Sequence, residues 1–314
     1  MKTVLAAILG PTGTGKTDTA LRVAARLGKA EIISCDSMQI YRGMDIGTAK
    51  LPRSEMGSIP HHLIDVVDPD AAFSVTDYQR LARVCIDEIG SRGALPILVG
   101  GTGLYYQAVV DDYELQPMDR DLSIRERLEA EAEEAGNAAL HQRLSRLDSE
   151  AAARIQPNDR KRIIRALEVI ETTGKPFSAQ QKRSGGRYQL AAVGLTCPRE
   201  EMYRRINDRV ELMIQAGWLE ETERLAASGY DVSYNSMQAI GYRHLTEVLA
   251  GKTTLTEAVA RIQMETRRYA KRQLTWFRRD PRIKWFDVTE SRDADEQAAN
   301  ISTYICRTIK SSVE

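Results

Sequence analysis

Residues Gly10 to Thr17 read GPTGTGKT, which fits the pattern G-x-x-x-x-G-K-[ST] and directly follows the apolar run TVLAAIL, Thr3 to Leu9. That arrangement permits few folds. A continuous apolar run of this length is a strand buried on both faces, and a glycine loop between it and a helix turns backbone amides toward an anion. Gly10, Pro11, Thr12, Gly13, Thr14 and Gly15 are therefore read as a phosphate cradle. The positive end of the next helix and the Lys16 ammonium add to it, and the Thr17 hydroxyl is the expected magnesium ligand. In most chains such a loop holds ATP or GTP.

The surrounding sequence fits an ordinary NTPase poorly. Such enzymes place an acid at the end of a long apolar strand to hold magnesium through water, whereas the strand Leu95 to Val99 runs into Gly100, Gly101 and Thr102. A kinase-like layout survives, because the strand Glu31 to Cys35 delivers Asp36 to the rim of the same pocket. There the carboxylate accepts a proton from an acceptor OH or NH, or else is a plain turn residue.

Strands and helices alternate through the N-terminal part. Beyond those named, the pattern gives a helix Thr17 to Leu27 closed by Gly28 and a strand His62 to Val67. Ser74 then caps a helix running to about Ser91, with Asp77 as its capping-box partner. This is the rhythm of an α/β, P-loop parallel-sheet core of nucleotide-kinase type, with ligands at the carboxyl ends of the strands. It stops near Asp111. Residues 111–187 read as a helical insertion, and 188–314 return to the core with a strand Tyr188 to Thr196. After it come helices at Arg199 to Ala216, Leu219 to Ala227, Met237 to Leu249 and Leu255 to Arg279, then a strand IKWFDV.

Lys and Arg number 44, as do Asp and Glu, so the 314-residue chain is neutral and its 42% hydrophobic content is that of a globular enzyme. The distribution is uneven. Asp111 to Glu150 carries twelve acids against five bases, Arg154 to Arg187 nine bases against three acids, and Arg261 to Lys284 nine bases against two acids. On the last stretch Arg261, Arg268, Lys271, Arg272 and Arg279 recur at helical spacings with no acids opposite, interleaved with Tyr269, Trp276 and Phe277. A solvated face and a nucleic-acid backbone site both fit, and the unbalanced sign favours the second. Cys35, Cys85, Cys197 and Cys306 lie far apart without a C-x-x-C pair. With no export signal or membrane segment, a cytoplasmic protein is expected. His61 and His62 are strand neighbours that face opposite ways and are read as structural.

GPTGTGKT, SCDSMQIYRGMDIGTAK at Ser34 to Lys50, HHLID, LVGGTGLY, NDRKRIIRALEV, AIGYRHL and TRRYAKRQLTWFRRD together resemble one family over nearly the whole chain, the tRNA dimethylallyltransferases or isopentenyltransferases of bacterial type. The zinc finger common in eukaryotic relatives has no counterpart here. The resemblance implies transfer of a dimethylallyl group from dimethylallyl diphosphate to N6 of the adenosine 3′ of the anticodon, position 37, in tRNAs reading codons that start with U. The loop then holds a diphosphate leaving group, with Mg2+, and Arg209 reaches it too. Asp36 takes the amine proton with Thr102 beside it, and Arg209 and these two form the catalytic set. Asp36, Ser37, Met38, Gln39, Thr102, Arg125, Arg160, Lys161, Arg162, Ile163, Ile164, Arg243, Arg268, Lys271 and Arg272 become contacts to the tRNA anticodon stem-loop. The insertion closes over an extruded base. A monomer is expected. Two other readings stay open: a small-molecule P-loop kinase or adenylate prenyltransferase, which would not need the basic helices, and a nucleotide-regulated RNA-binding module, which would not need Asp36.

Overall fold

The apolar run at the N-terminus is strand β1 (Thr3–Leu9), and it explains the layers around it. Its side chains alternate. Leu5, Ala7 and Leu9 enter one core cluster, and Ala6 and Ile8 enter another on the opposite side of the sheet. Both faces of β1 are covered, as a run without polar alternation requires.

The computed structural model describes residues 2–113, 115, 122–181, 186–291 and 293–310. Glu114, Asp119, Arg120, Asp121, Lys182 and Arg183, which enter the charge reading above, lie outside the described residues. The chain packs as two units, Met1–Val110 with Arg187–Glu314, and Asp111–Gly186.

In the first unit, β1 is joined by β2 (Ala30–Ser34), β3 (His61–His62), β4 (Leu95–Gly100), β5 (Tyr188–Thr196) and β6 (Ile283–Asp287) in a sheet of order β3-β2-β4-β1-β5-β6. All the pairings are parallel. Helices α1 (Lys16–Leu27), α2 (Val75–Ser91) and α3 (Gly103–Val110) follow β1, β3 and β4. Tyr78, Ala82 and Ile86 of α2 and Tyr106 and Val109 of α3 cover one face, and Ala20, Val23 and Ala24 of α1 cover the other. The Ser74 capping box with Asp77 starts α2 as its sequence requires. Among the described residues no helix is long and apolar enough to cross a membrane.

Two expected elements are shorter. The strand read as His62 to Val67 is only His61–His62, because Leu63 at φ 60° and Asp65 at φ 56° take left-handed backbone that no strand accommodates. Val67 keeps only an isolated bridge to Tyr41.

The second unit contains α4 (Leu122–Leu147), interrupted at Gly136, then α5 (Ser149–Arg154) and α6 (Arg160–Thr173), packed around Leu128, Leu140, Leu144, Ile163, Ile164 and Leu167. After β5 the first unit resumes with α7 (Arg199–Gln215), α8 (Trp218–Ala227), α9 (Tyr242–Leu249), α10 (Leu255–Phe277) and, after β6, α11 (Ala294–Lys310). Helix α9 is the second shortened element: Met237 to Gly241 form turns, and Gly241 at φ 99° begins the helix. Helix α11 joins α1 over the same face of the sheet.

Candidate active site

The sheet order sets the chemistry. Strands β2, β4 and β1 are neighbours, so Asp36, Thr102 and the loop from Gly10, each just past a carboxyl end, come together along one edge. At Gly10, φ is 147° and a Cβ would stand 2.6 Å from the Leu195 carbonyl oxygen, so only glycine lets the loop leave the sheet here. Within the loop, Thr14 Oγ1 and Lys16 Nζ each donate to the Pro11 carbonyl at 2.8 Å. The amide N–H of Thr12 donates to Gln273 Oε1 of α10 at 2.9 Å.

A cavity of about 420 Å³ opens at this edge, and Thr12, Lys16, Thr17, Asp36, Ser37, Gly101 and Arg209 border it. Burial holds the Lys16 ammonium down to about 8, the nearby Arg209 charge pushes the same way, and Asp36 opposes both. Burial also lowers Arg209, again against the pull of Asp36. Two cations short of water and one carboxylate thus feel one another across a single space. A polyphosphate entering it would gain strong charge-assisted bonds from both cations.

The carboxylate is held by its own loop: Met38 N–H donates to Asp36 Oδ1 at 2.8 Å. Thr102 links this loop to the β4 turn, since its N–H donates to the Cys35 carbonyl at 3.1 Å and its Oγ1 accepts from Ser37 N–H at 3.0 Å. Burial pushes the Cys35 thiol up to about 12, so this neighbour of Asp36 is not a nucleophile at neutral pH. The rest of the wall is largely apolar: Ile32, Leu51, Ile64 and Val99, with Ile206, Val210 and Met213 from one face of α7 and Ala239 and Ile240 from the turn before α9. The site therefore has an anion-binding end beside a carboxylate and an apolar wall large enough for a short hydrocarbon.

The comparisons with known proteins agree with this chemistry. A sequence profile described as IPP transferase matches residues 39–280, and a second, isopentenyl transferase, matches residues 3–72. A tRNA dimethylallyltransferase of Moorella thermoacetica is 54% identical over 100% of this chain and 98% of its own length. The chain belongs to the tRNA dimethylallyltransferase family.

Solved structures of the family match as well. The full-length tRNA isopentenylpyrophosphate transferase of Bacillus halodurans superposes with a TM-score of 0.74 at 46% identity, covering 99% of this chain and 98% of that one. A eukaryotic dimethylallyltransferase caught acting on tRNA gives 0.76 at 27% identity, covering 95% of this chain and 78% of that one.

The family segments fare unequally in the structure. Met38, Gln39, Arg243 and Arg272 border the same cavity as Asp36. The Gln39 amide is engaged within the chain, accepting from Ser34 Oγ at 2.9 Å and donating to the Thr48 carbonyl at 3.2 Å, so it braces its loop. Arg243 donates to the Gln238 carbonyl at 2.9 Å and pairs with Glu265. Arg268 and Lys271 are exposed, and the Arg272 guanidinium sits 5.7 Å from the centre of the Tyr269 ring. Arg261 departs from expectation: Glu247 of α9 pairs with it at 2.5 Å, an acid from the neighbouring helix that the α10 sequence alone does not contain.

In the helical unit the acidic and basic stretches neutralise each other. Arg160 pairs with Glu129 at 2.8 Å, and Arg125 and Arg165 flank the buried Glu168 at 2.8 and 3.1 Å. Arg125 is thus part of the unit's internal charge pairing. Ile163 and Ile164 are 0% and 1% exposed, and their side chains fill the unit's core. Lys161 and Arg162 are exposed, Arg162 with Asp159 at 3.4 Å.

Two site residues escaped the sequence reading. His61 borders the cavity, with Nδ1 2.8 Å from the Ile59 carbonyl and a buried Nε2, while His62 turns away to Glu31 at 2.7 Å. Gln273, inside a segment read as a charged face, points inward. The apolar face of α7 beside Arg209 also went unread, although Ile206, Arg209, Val210 and Met213 recur at spacings of three, one and three.

Proposed function

We propose that this chain transfers a dimethylallyl group from dimethylallyl diphosphate to N6 of the adenosine 3′ of the anticodon, position 37, in tRNAs reading codons that start with U, and releases diphosphate. Family membership and one observation carry the reading: Lys16, Arg209 and Asp36 face a common cavity with an apolar wall.

The loop amides, Lys16 and Arg209 hold the diphosphate, where negative charge grows as the allylic C–O bond breaks. The apolar wall receives the five-carbon chain and keeps water from the electron-deficient carbon. The adenine amine is a weak nucleophile because its lone pair is delocalised into the ring. As N6 bonds to that carbon, its proton passes to the Asp36 carboxylate, whose orientation the Met38 amide fixes, while Thr102 ties the Asp36 loop to the β4 turn.

The site suits magnesium. Thr17 and Asp36 offer hard oxygens at the cavity, and no cluster of three acidic, histidine or cysteine side chains among the described residues could hold a metal without further ligands. The Thr17 hydroxyl would help hold an Mg2+ ion there, and the ion would offset charge on the leaving group.

The RNA contacts we favour are Ser37, Met38, Arg243, Arg268, Lys271 and Arg272, joined by Lys161 and Arg162 from the helical unit. A cytoplasmic monomer accords with this role. Incubation with magnesium, labelled dimethylallyl diphosphate and unmodified tRNA tests the reading. Label is expected on the RNA; label on free AMP alone, or ADP formed from ATP with a small acceptor, would refute it.

A further inference from the structure

Gln273 is 6% exposed on a helix whose neighbouring positions Lys271 and Arg272 face solvent. Its side-chain amide joins two parts of the active site. Gln273 Oε1 accepts the Thr12 N–H of the phosphate loop at 2.9 Å, and Gln273 Nε2 donates to the Gly101 carbonyl at 2.9 Å, one residue before Thr102. The fit is close: a Cβ on Gly101 would stand 2.1 Å from Gln273 Nε2. Tyr269, one turn back on α10, lies beside both Thr102 and Gln273. Thr102 in turn receives Ser37 N–H, next to Asp36. One buried amide therefore connects the basic helix, the phosphate loop and the turn that carries Thr102.

Leucine or methionine would fill similar space, but would leave the Thr12 N–H and the Gly101 carbonyl without these partners, at a cost of about 1–3 kcal/mol each. Both bonds end on segments that frame the cavity, the phosphate loop and the turn that leads to Thr102. We propose that Gln273 is a positioning residue that couples RNA bound on the exposed face of α10 to the geometry of the phosphate loop, so that RNA and diphosphate tighten each other's binding. Linkage requires the effect to be equal in both directions. The inference rests on the tRNA dimethylallyltransferase reading of the site.

Calorimetric titration of inorganic diphosphate with magnesium, with and without an unmodified anticodon stem-loop RNA, tests it. In the wild type, RNA is expected to tighten diphosphate about fivefold or more, the lower end of usual couplings. In Gln273→Met the ratio is expected to fall to about one, with RNA affinity for the diphosphate-free protein unchanged and the KM for dimethylallyl diphosphate raised. Gln273→Glu keeps the Thr12 acceptor and removes the donor to Gly101, so it carries the test if a thermal melt finds Gln273→Met unfolded. Its charge weakens diphosphate overall, and the ratio remains the readout. A folded variant that keeps the wild-type ratio overturns the proposal, as does a wild-type ratio of one in a protein that transfers label. Failure of the wild type to transfer label would instead overturn the functional reading.

Discussion

Asp36 and Lys16 carry opposite charges to one cavity, and their replacement should have separable consequences. Asp36→Ala is expected to lower kcat about 10²–10⁴-fold, the usual worth of a positioned base, while filter binding finds tRNA affinity nearly intact. Lys16→Ala should cost about 10²–10³-fold in kcat/KM for dimethylallyl diphosphate, since it removes a preorganised donor to the leaving group. At this scale the sequence was most readable where backbone conformation dictates residue type. The Gly10 turn admits no Cβ beside Leu195, so the loop announces itself. Gln273 and His61 were unreadable for the opposite reason. Nothing local marks a polar side chain whose partners are 261 and 172 positions away for Gln273, or a histidine that borders a cavity assembled from distant loops.

The individual helices separate affinity from stability. Lys271→Ala with Arg272→Ala on α10 should weaken tRNA binding and reduce the slope of log K against log salt by about one for each phosphate no longer neutralised, measured by filter binding over a salt series. Ile163→Ala on α6 should leave that slope unchanged and destabilise the helical unit by about 2–5 kcal/mol in denaturant titration, because the side chain closes a core. Periodicity located these helices well, and their partners poorly. The acids of α4 and the bases of α6 look like separate signed segments along the chain, yet Arg160 finds Glu129 across the unit. Strand β3 failed for a backbone reason: the apolar run after His62 reads as extended, but left-handed φ at Leu63 and Asp65 ends it at once.

Across the molecule, strand order does the assembling. Sequence alternation announced a parallel sheet; it did not announce that β4 inserts between β1 and β2 and so carries Thr102 between the phosphate loop and Asp36. With that order known, the basic helix, the loop and the carboxylate belong to one site, and neither a kinase without an RNA face nor an RNA-binding module without Asp36 needs all three. Chelation of divalent ions should stop transfer and added Mg2+ restore it, as followed by label on RNA. The most direct test of the central claim is to map that label. After reaction with labelled dimethylallyl diphosphate, nucleoside digestion should find it on N6 of the adenosine 3′ of the anticodon, and a transcript with guanosine there should take none. Equal labelling of the guanosine transcript would contradict the account.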